Sequence, residues 1–193
     1  MLGLKLPTDP RWVNLAKKSI GEILTDHAFC EQKAATQCIS LITLYPEKTE
    51  LVNKLSPIVT EEWAHFRMVL KELEKRGLTL GFQRKDQYVN ELIKHLKQGG
   101  KKETRLLDKL LFSALIEARS CERFKLLSEH ISDKDLQKFY RELMEAEAGH
   151  YRLFIDLAKT YSDEKLVKER WQELLEIEAD IMKNIELRGD RVH

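Results

Sequence analysis

Two short strings in the chain share a spacing suited to metal chemistry. In "EEWAHF", residues 61–66, Glu62 is followed three residues later by His65; in "EAEAGH", residues 145–150, Glu147 is followed by His150. Residues three apart share one face of an α-helix, so each pair can present a carboxylate and an imidazole together. A further Glu precedes each pair by about one helix and a turn: Glu31 stands 31 residues before Glu62, and Glu117 stands 30 before Glu147. The lone glutamates are 86 residues apart and the two histidines 85 apart. The donors therefore repeat, as Glu and then Glu-x-x-His, in two halves related by an approximate two-fold.

All six residues fall in apolar stripes at three-four spacing, the mark of helices that pack through one face. The stripes run Ile20, Leu24, His27, Glu31, Ala34, Cys38, Leu41; then Leu55, Ile58, Glu62, His65, Val69. In the second half they run Leu107, Leu110, Ala114, Glu117, Cys121, Phe124; then Leu136, Tyr140, Leu143, Glu147, His150, Phe154, Leu157. Four inward carboxylates without counter-charge would each cost several kcal/mol, on the order of the effective penalty for a buried ion. Two divalent ions balance four glutamates, and two imidazoles complete a nitrogen–oxygen shell suited to iron or manganese. This is the ligand plan of ferritin-like di-metal bundles. Glu122, Glu145 and Glu61 lie off the stripes and read as surface carboxylates.

The elements that must hold these donors are helices throughout. Asp9 is an N-cap candidate with Pro10 at the first helical position, opening a helix that runs, with an early bend, to Pro46. A second runs to Arg76 and stops at Gly77, with Pro57 marking a kink or a fresh start. A short helix spans about 86–98 and ends at Gly99-Gly100. Long helices follow at 102–130, 133–160 and 163–187, the last two capped by Ser132 and Ser162. The expectation is an all-α, ferritin-like four-helix bundle with a di-metal site, plus short and C-terminal helices, in one domain over 1–193.

Composition narrows the class further. Hydrophobic residues at 42% with only 8 Gly and 4 Pro argue against a disordered or collagen-like chain. The three cysteines, Cys30, Cys38 and Cys121, form no CxxC pair, which disfavours zinc knuckles and rubredoxin-type iron and suits free thiols in a reducing compartment. There is no export signal and no run near the ~20 apolar residues of a membrane span. A soluble, cytoplasmic protein without a membrane partner is expected.

The wording of the strings adds a resemblance. "DPRW" at 9–12, "DHAFCEQKAA" at 26–35, "EEWAHF" and "ALIEARSCERF" at 114–124 resemble the MiaE family of tRNA hydroxylases. The likeness implies a ferritin-like di-iron monooxygenase that uses O2 and two iron ions (Fe2+/Fe3+). Its substrate would be the isopentenyl side chain of 2-methylthio-isopentenyl-adenosine in a tRNA anticodon loop. It implies Glu31, Glu62, His65, Glu117, Glu147 and His150 as ligands, and an electron donor such as ferredoxin or flavodoxin with its reductase. No separate acid–base catalytic residue is expected.

Substrate contacts are sought in charge. Segment 83–109 carries eight Lys or Arg against four Asp or Glu, an excess of +4 in a chain of net +1. Arg84, Lys85, Lys94, Lys97, Lys101, Lys102 and Arg105 are the candidates for phosphate contacts, against a plain solvated helix face. His27, one turn before Glu31, is either an orienting partner of that ligand or a satisfied core histidine. Tyr140 reads best as core packing, and the tail "RGDRVH" as a short basic end. The rival functions are a ferroxidase or storage protein, a peroxidase or manganese catalase on the same bundle, and a metal-free helical RNA-binding protein.

Overall fold

Three-four periodicity becomes seven α-helices in a computed structural model that describes residues 2–193: α1 (Arg11–Ala16), α2 (Ile20–Leu44), α3 (Thr49–Lys75), α4 (Gln87–Ile93), α5 (Lys102–His130), α6 (Lys134–Tyr161) and α7 (Glu164–Asn184). No strand occurs among the described residues. The chain divides into two compact units, one of Arg11–Lys85 with Arg188–Val192, the other of the residues through Pro10, Asp86–Leu187 and His193.

In the first unit α2 packs along α3. Ile23, Leu24, Ala28, Ala35, Cys38 and Leu41 of α2 and Leu51, Leu55, Ile58, Val69 and Leu73 of α3 are buried. Each large aliphatic side chain contributes about 1.5–3 kcal/mol on leaving water. The expected early bend is a true break, since α1 ends at Ala16 and α2 starts after Ser19. Pro57, by contrast, neither interrupts nor restarts α3. Its missing N–H would have bonded the carbonyl of Asn53, an exposed residue, so water can take the acceptor. Gly77, at φ +67, ends α3 as the sequence predicts. Gly77 N–H bonds Glu74 O at 2.9 Å and Leu78 N–H bonds Leu73 O at 3.0 Å, the paired bonds of a Schellman stop.

The tail is no loose end. Gly189 sits so close to α1 that an added Cβ would lie 2.4 Å from the Leu15 carbonyl carbon. Val192 is fully buried, and its N–H donates to Asp26 Oδ2 at 2.8 Å. Asp190 accepts from Arg84 Nη1 at 2.9 Å, Arg188 Nε at 3.0 Å and Arg191 Nη1 at 2.9 Å. Burial alone would raise Asp190, but Arg188, Arg191 and Arg84 outweigh it and hold its carboxyl below the ordinary value.

In the second unit α5 packs on α6, and α7 and α4 lie against each other. The caps of α6 and α7 fall one residue beyond the expected serines. Asp133 accepts from the N–H groups of Asp135 and Leu136, and Asp163 from those of Lys165 and Leu166. A carboxylate is the better cap here because its charge also meets the positive helix end. α4, capped by Asp86 on Val89 N–H at 3.1 Å, stops at Ile93, short of the expected 98.

Glu122 corrects the surface reading given to it. It is buried, and its Oε2 accepts from Thr8 N–H at 3.0 Å, from the Thr8 hydroxyl at 2.5 Å and from Arg119. Arg119, with no exposure, also bonds Glu178 Oε1 through Nε at 2.9 Å and Nη2 at 2.5 Å, and Leu6 O at 2.9 Å. Burial would lower Arg119, yet Glu178, Tyr88 and Glu122 outweigh it. Arg123, one turn on, is pushed down to about 10 by burial and by the neighbouring Arg119 charge.

Two outcomes follow from these charge clusters. Arg119→Ala strands Glu178 and Glu122 inside the protein and should cost about 3–5 kcal/mol, read as a lower urea midpoint at unchanged slope. Asp190→Asn should destabilise at neutral pH, where the depressed carboxyl is ionised. The difference from wild type should shrink as pH falls through the folded-state value, because stability from a depressed carboxyl is lost on protonation; midpoints from pH 7 to pH 3 check it.

Candidate metal centre

The first unit brings together Glu31 from α2 and Glu62 and His65 from α3, each offering a ligand atom within 4.8 Å of the others. His65 Nδ1 lies 3.3 Å from Glu62 Oε2 and 3.6 Å from Glu31 Oε2. His27, one turn before Glu31 and with no exposure, donates from Nε2 to Glu31 Oε1 at 2.5 Å. The contact is made to the carboxylate of Glu31 itself, as an orienting partner would make it and as a core histidine satisfied by a carboxylate would also make it. A donor fixed on Oε1 leaves Oε2 facing His65.

The second unit assembles Glu117 from α5 with Glu147 and His150 from α6, again within 4.8 Å. His150 Nδ1 lies 3.2 Å from Glu147 Oε2. The two Glu-x-x-His motifs therefore adopt the same pose, Nδ1 against Oε2, at 3.3 and 3.2 Å. Equal helical spacing and equal depth produce equal geometry. All six residues are between 0 and 7% exposed.

Does this donor set suit a metal? Carboxylate oxygens and imidazole nitrogens are ligands for iron and manganese, and both trios place them at mutual distances that one ion can span. A bound cation would offset the cost of burying four carboxylates at this depth. The nearby thiols do not compete. Burial, then the Glu62 charge, pushes Cys38 up to about 12; burial, then Glu147 and Glu122, pushes Cys121 to about 11. Both stay protonated thiols, poor ligands. The residues fit a hard to borderline cation.

Tyr140 is fully buried, its ring 5.5 Å from Phe124 and edge-on to Phe139 at 5.2 Å, which is the core packing expected of it. Glu61 and Glu145 are exposed. Of the basic residues, Lys85, Lys94, Lys97, Lys101 and Lys102 are exposed, and Arg84 and Arg105 are half-buried. Arg84 is engaged internally, donating to Asp190 Oδ2 and O and, at 2.9 Å, to Glu22 O. Lys94 pairs with Glu91 at 2.6 Å, and Arg105 Nη1 caps Gly100 O at 2.5 Å. The sequence reading missed the Arg119 cluster and the Arg170–Asp108 pair at 2.7 Å. Its one signal for the former was the Arg119–Glu122 spacing on α5.

A family model described as tRNA-(MS[2]IO[6]A)-hydroxylase (MiaE) matches residues 2–193. A tRNA 2-(methylsulfanyl)-N(6)-isopentenyladenosine(37) hydroxylase of Pseudomonas putida is 37% identical over 161 residues, covering 83% of this chain and 77% of that protein. Its namesake from Salmonella typhimurium is 27% identical, covering 93% and 83%. A solved structure described as protein 43 with aldehyde deformylating oxygenase activity, from Synechococcus, aligns at a TM-score of 0.93 with 34% identity. The alignment covers 98% of this chain and 94% of the other. The fold is therefore ferritin-like and all-α, as its periodicity implied.

His27→Ala removes the donor to a buried carboxylate and should lower stability by about 1–3 kcal/mol. His27→Gln, which keeps an N–H donor, should recover part of that loss. Urea titrations of the metal-free variants decide it.

Proposed function

Because the chain belongs to the MiaE family of tRNA hydroxylases, we propose that its two Glu, Glu-x-x-His trios form one di-iron centre serving that reaction. The chain is an enzyme that hydroxylates 2-methylthio-N6-isopentenyl-adenosine in tRNA. The observation that carries the di-iron reading is the duplicated, buried trio. Glu31, Glu62 and His65 in one unit and Glu117, Glu147 and His150 in the other share spacing, depth and pose. On this reading residues 1–193 work as one domain.

Two ferrous ions bring +4 against the four glutamates at −4, offsetting the repulsion that burial imposes. When bound, the iron pair supplies the two-electron chemistry with O2 that no side chain here can perform. The protein's residues hold, orient and exclude water. His27 keeps Glu31 in one orientation, the work of a partner behind a ligand. Leu24, Val69, Leu110 and Phe154, all buried on the same stripes, keep the surroundings dry. Overall, an allylic C–H becomes C–OH with one oxygen of O2, and the other oxygen leaves as water with two protons and two electrons. The electrons come from a reduced donor protein of the ferredoxin or flavodoxin kind. The tRNA loop base is single-stranded, so presenting it costs little unpairing.

The Synechococcus neighbour's oxygenase activity on an aldehyde supplies a second reading on the same scaffold, and the assay separates the two. Iron-loaded protein with reductant, O2 and tRNA bearing the isopentenylated nucleoside should hold about two irons per chain and yield a nucleoside one oxygen heavier by mass spectrometry. With an aliphatic aldehyde it should release no formate. Intact metal, a competent donor and no heavier nucleoside would overturn the hydroxylase reading. Glu62→Ala and Glu147→Ala should each lower the hydroxylation rate at least about 100-fold, beyond the usual cost of losing a partner behind a ligand.

A further inference from the structure

Phe82 is 94% exposed, yet the loop that carries it is fixed at every side. The Schellman bonds at Gly77 and Leu78 hold its start. Leu78 then lies against Gly21, where an added Cβ would come within 2.9 Å of its Cδ1. Gly81 rests on Thr25, with room for a Cβ only at 3.2 Å from Cγ2. Two residues beyond Phe82, Arg84 ties the chain to the Glu22 carbonyl and to Asp190. A loop anchored before and after its aromatic residue does not leave that ring in water for want of order.

Between Glu74 and Asp86 the sequence has four basic residues, Lys75, Arg76, Arg84 and Lys85, and no acidic one. Lys75 and Arg76 pair with Glu72, and Arg84 pairs with Asp190, so Lys85 is the exposed cation on which a phosphate contact is argued. Gln83 and Lys85, one and three residues after Phe82, are exposed. An exposed aromatic face next to an amide and a lysine, in a segment free of negative charge, matches what single-stranded nucleic acid needs: a stacking surface, hydrogen bonds and a phosphate contact.

We propose that Phe82 stacks on an unpaired base of the tRNA loop, with Lys85 on an adjacent phosphate and Arg84 fixing the loop from behind. This rests on the tRNA hydroxylase reading and adds to it the substrate-gripping element. Arg84, a phosphate candidate on charge alone, becomes a positioning residue. The fixed loop also means that little ordering entropy is lost on binding.

The test measures binding of an anticodon stem-loop RNA carrying the isopentenylated adenosine to the full, iron-loaded chain, separately from turnover. Phe82→Ala and Phe82→Leu should both weaken binding roughly 5- to 150-fold, the fold-change of one lost aromatic–base stack. Phe82→Trp should stay within about threefold of wild type. Iron content should not change, since the ring is exposed and is none of the six candidate ligands. Lys85→Ala should reduce the slope of log affinity against log salt by about 0.7–0.9. A Phe82→Leu variant that binds like wild type would overturn the proposal, because an aliphatic contact then suffices. So would a Phe82→Ala variant with unchanged RNA affinity and a raised KM for the electron donor, since the ring would then serve a protein partner. Failure of the hydroxylase reading shows separately, as wild-type protein that binds the RNA and adds no oxygen to it.

Discussion

A carboxylate buried in a helix face must find positive charge or give up its own, and the whole molecule is organised around that constraint. It is met in two ways. Around α5 it is met with arginine: Arg119 joins Glu178 and Glu122, and Arg170 joins Asp108 at 2.7 Å. Glu31, Glu62 and Glu147 lie instead against imidazoles, Glu31 against His27 and His65, Glu62 against His65 and Glu147 against His150. Permanent guanidinium charge holds the scaffold, and the glutamates grouped with histidine are the ones proposed to take a metal.

The two solutions are stacked along one helix. Glu117 and Arg119 are two residues apart on α5, and Glu122 and Arg123 follow within a turn and a half. Arg119 bonds Thr8 and the Leu6 carbonyl as well as Glu178 on α7, so the rotation of α5 about its axis is set by contacts from the chain's start and from α7. That rotation decides where Glu117 points. On the other unit the docked tail, through Val192 on Asp26 and Asp190 on Arg84, braces α2 one residue before His27. Structural ion pairs thus sit within a turn of the residues proposed to bind iron.

How much of this could be read in advance depended on whether the determining partner was near in sequence. The burial and grouping of the six candidate ligands were legible because helical period alone puts Glu62 with His65 and Glu147 with His150, and each stripe turns inward. Gly77 was legible because a positive φ at a helix end favours glycine. Glu122 was misread because its burial depends on Thr8, 114 residues away, which no local pattern announces. Ser132 and Ser162 lost the caps to Asp133 and Asp163, neighbours of equal propensity whose register is fixed by packing. The tail read only as a short basic end because what fixes it lies in single contacts, a glycine against a backbone and an amide on a carboxylate. Arg84 counted as free charge until the fold gave it Asp190.

Surface and core divide the work in different terms. The interior chemistry is dictated by stripes that repeat across the two halves, whereas the candidate substrate loop follows α3 and has no counterpart by symmetry. What most needs testing is whether the two trios serve one metal pair. The most direct measurement is anomalous diffraction at the iron edge from crystals soaked anaerobically with Fe(II). One shared centre predicts two peaks about 3.5–4 Å apart, ringed by Glu31, Glu62, His65, Glu117, Glu147 and His150. Two isolated peaks, each held by one trio and far from the other, or no peak at either, would contradict it.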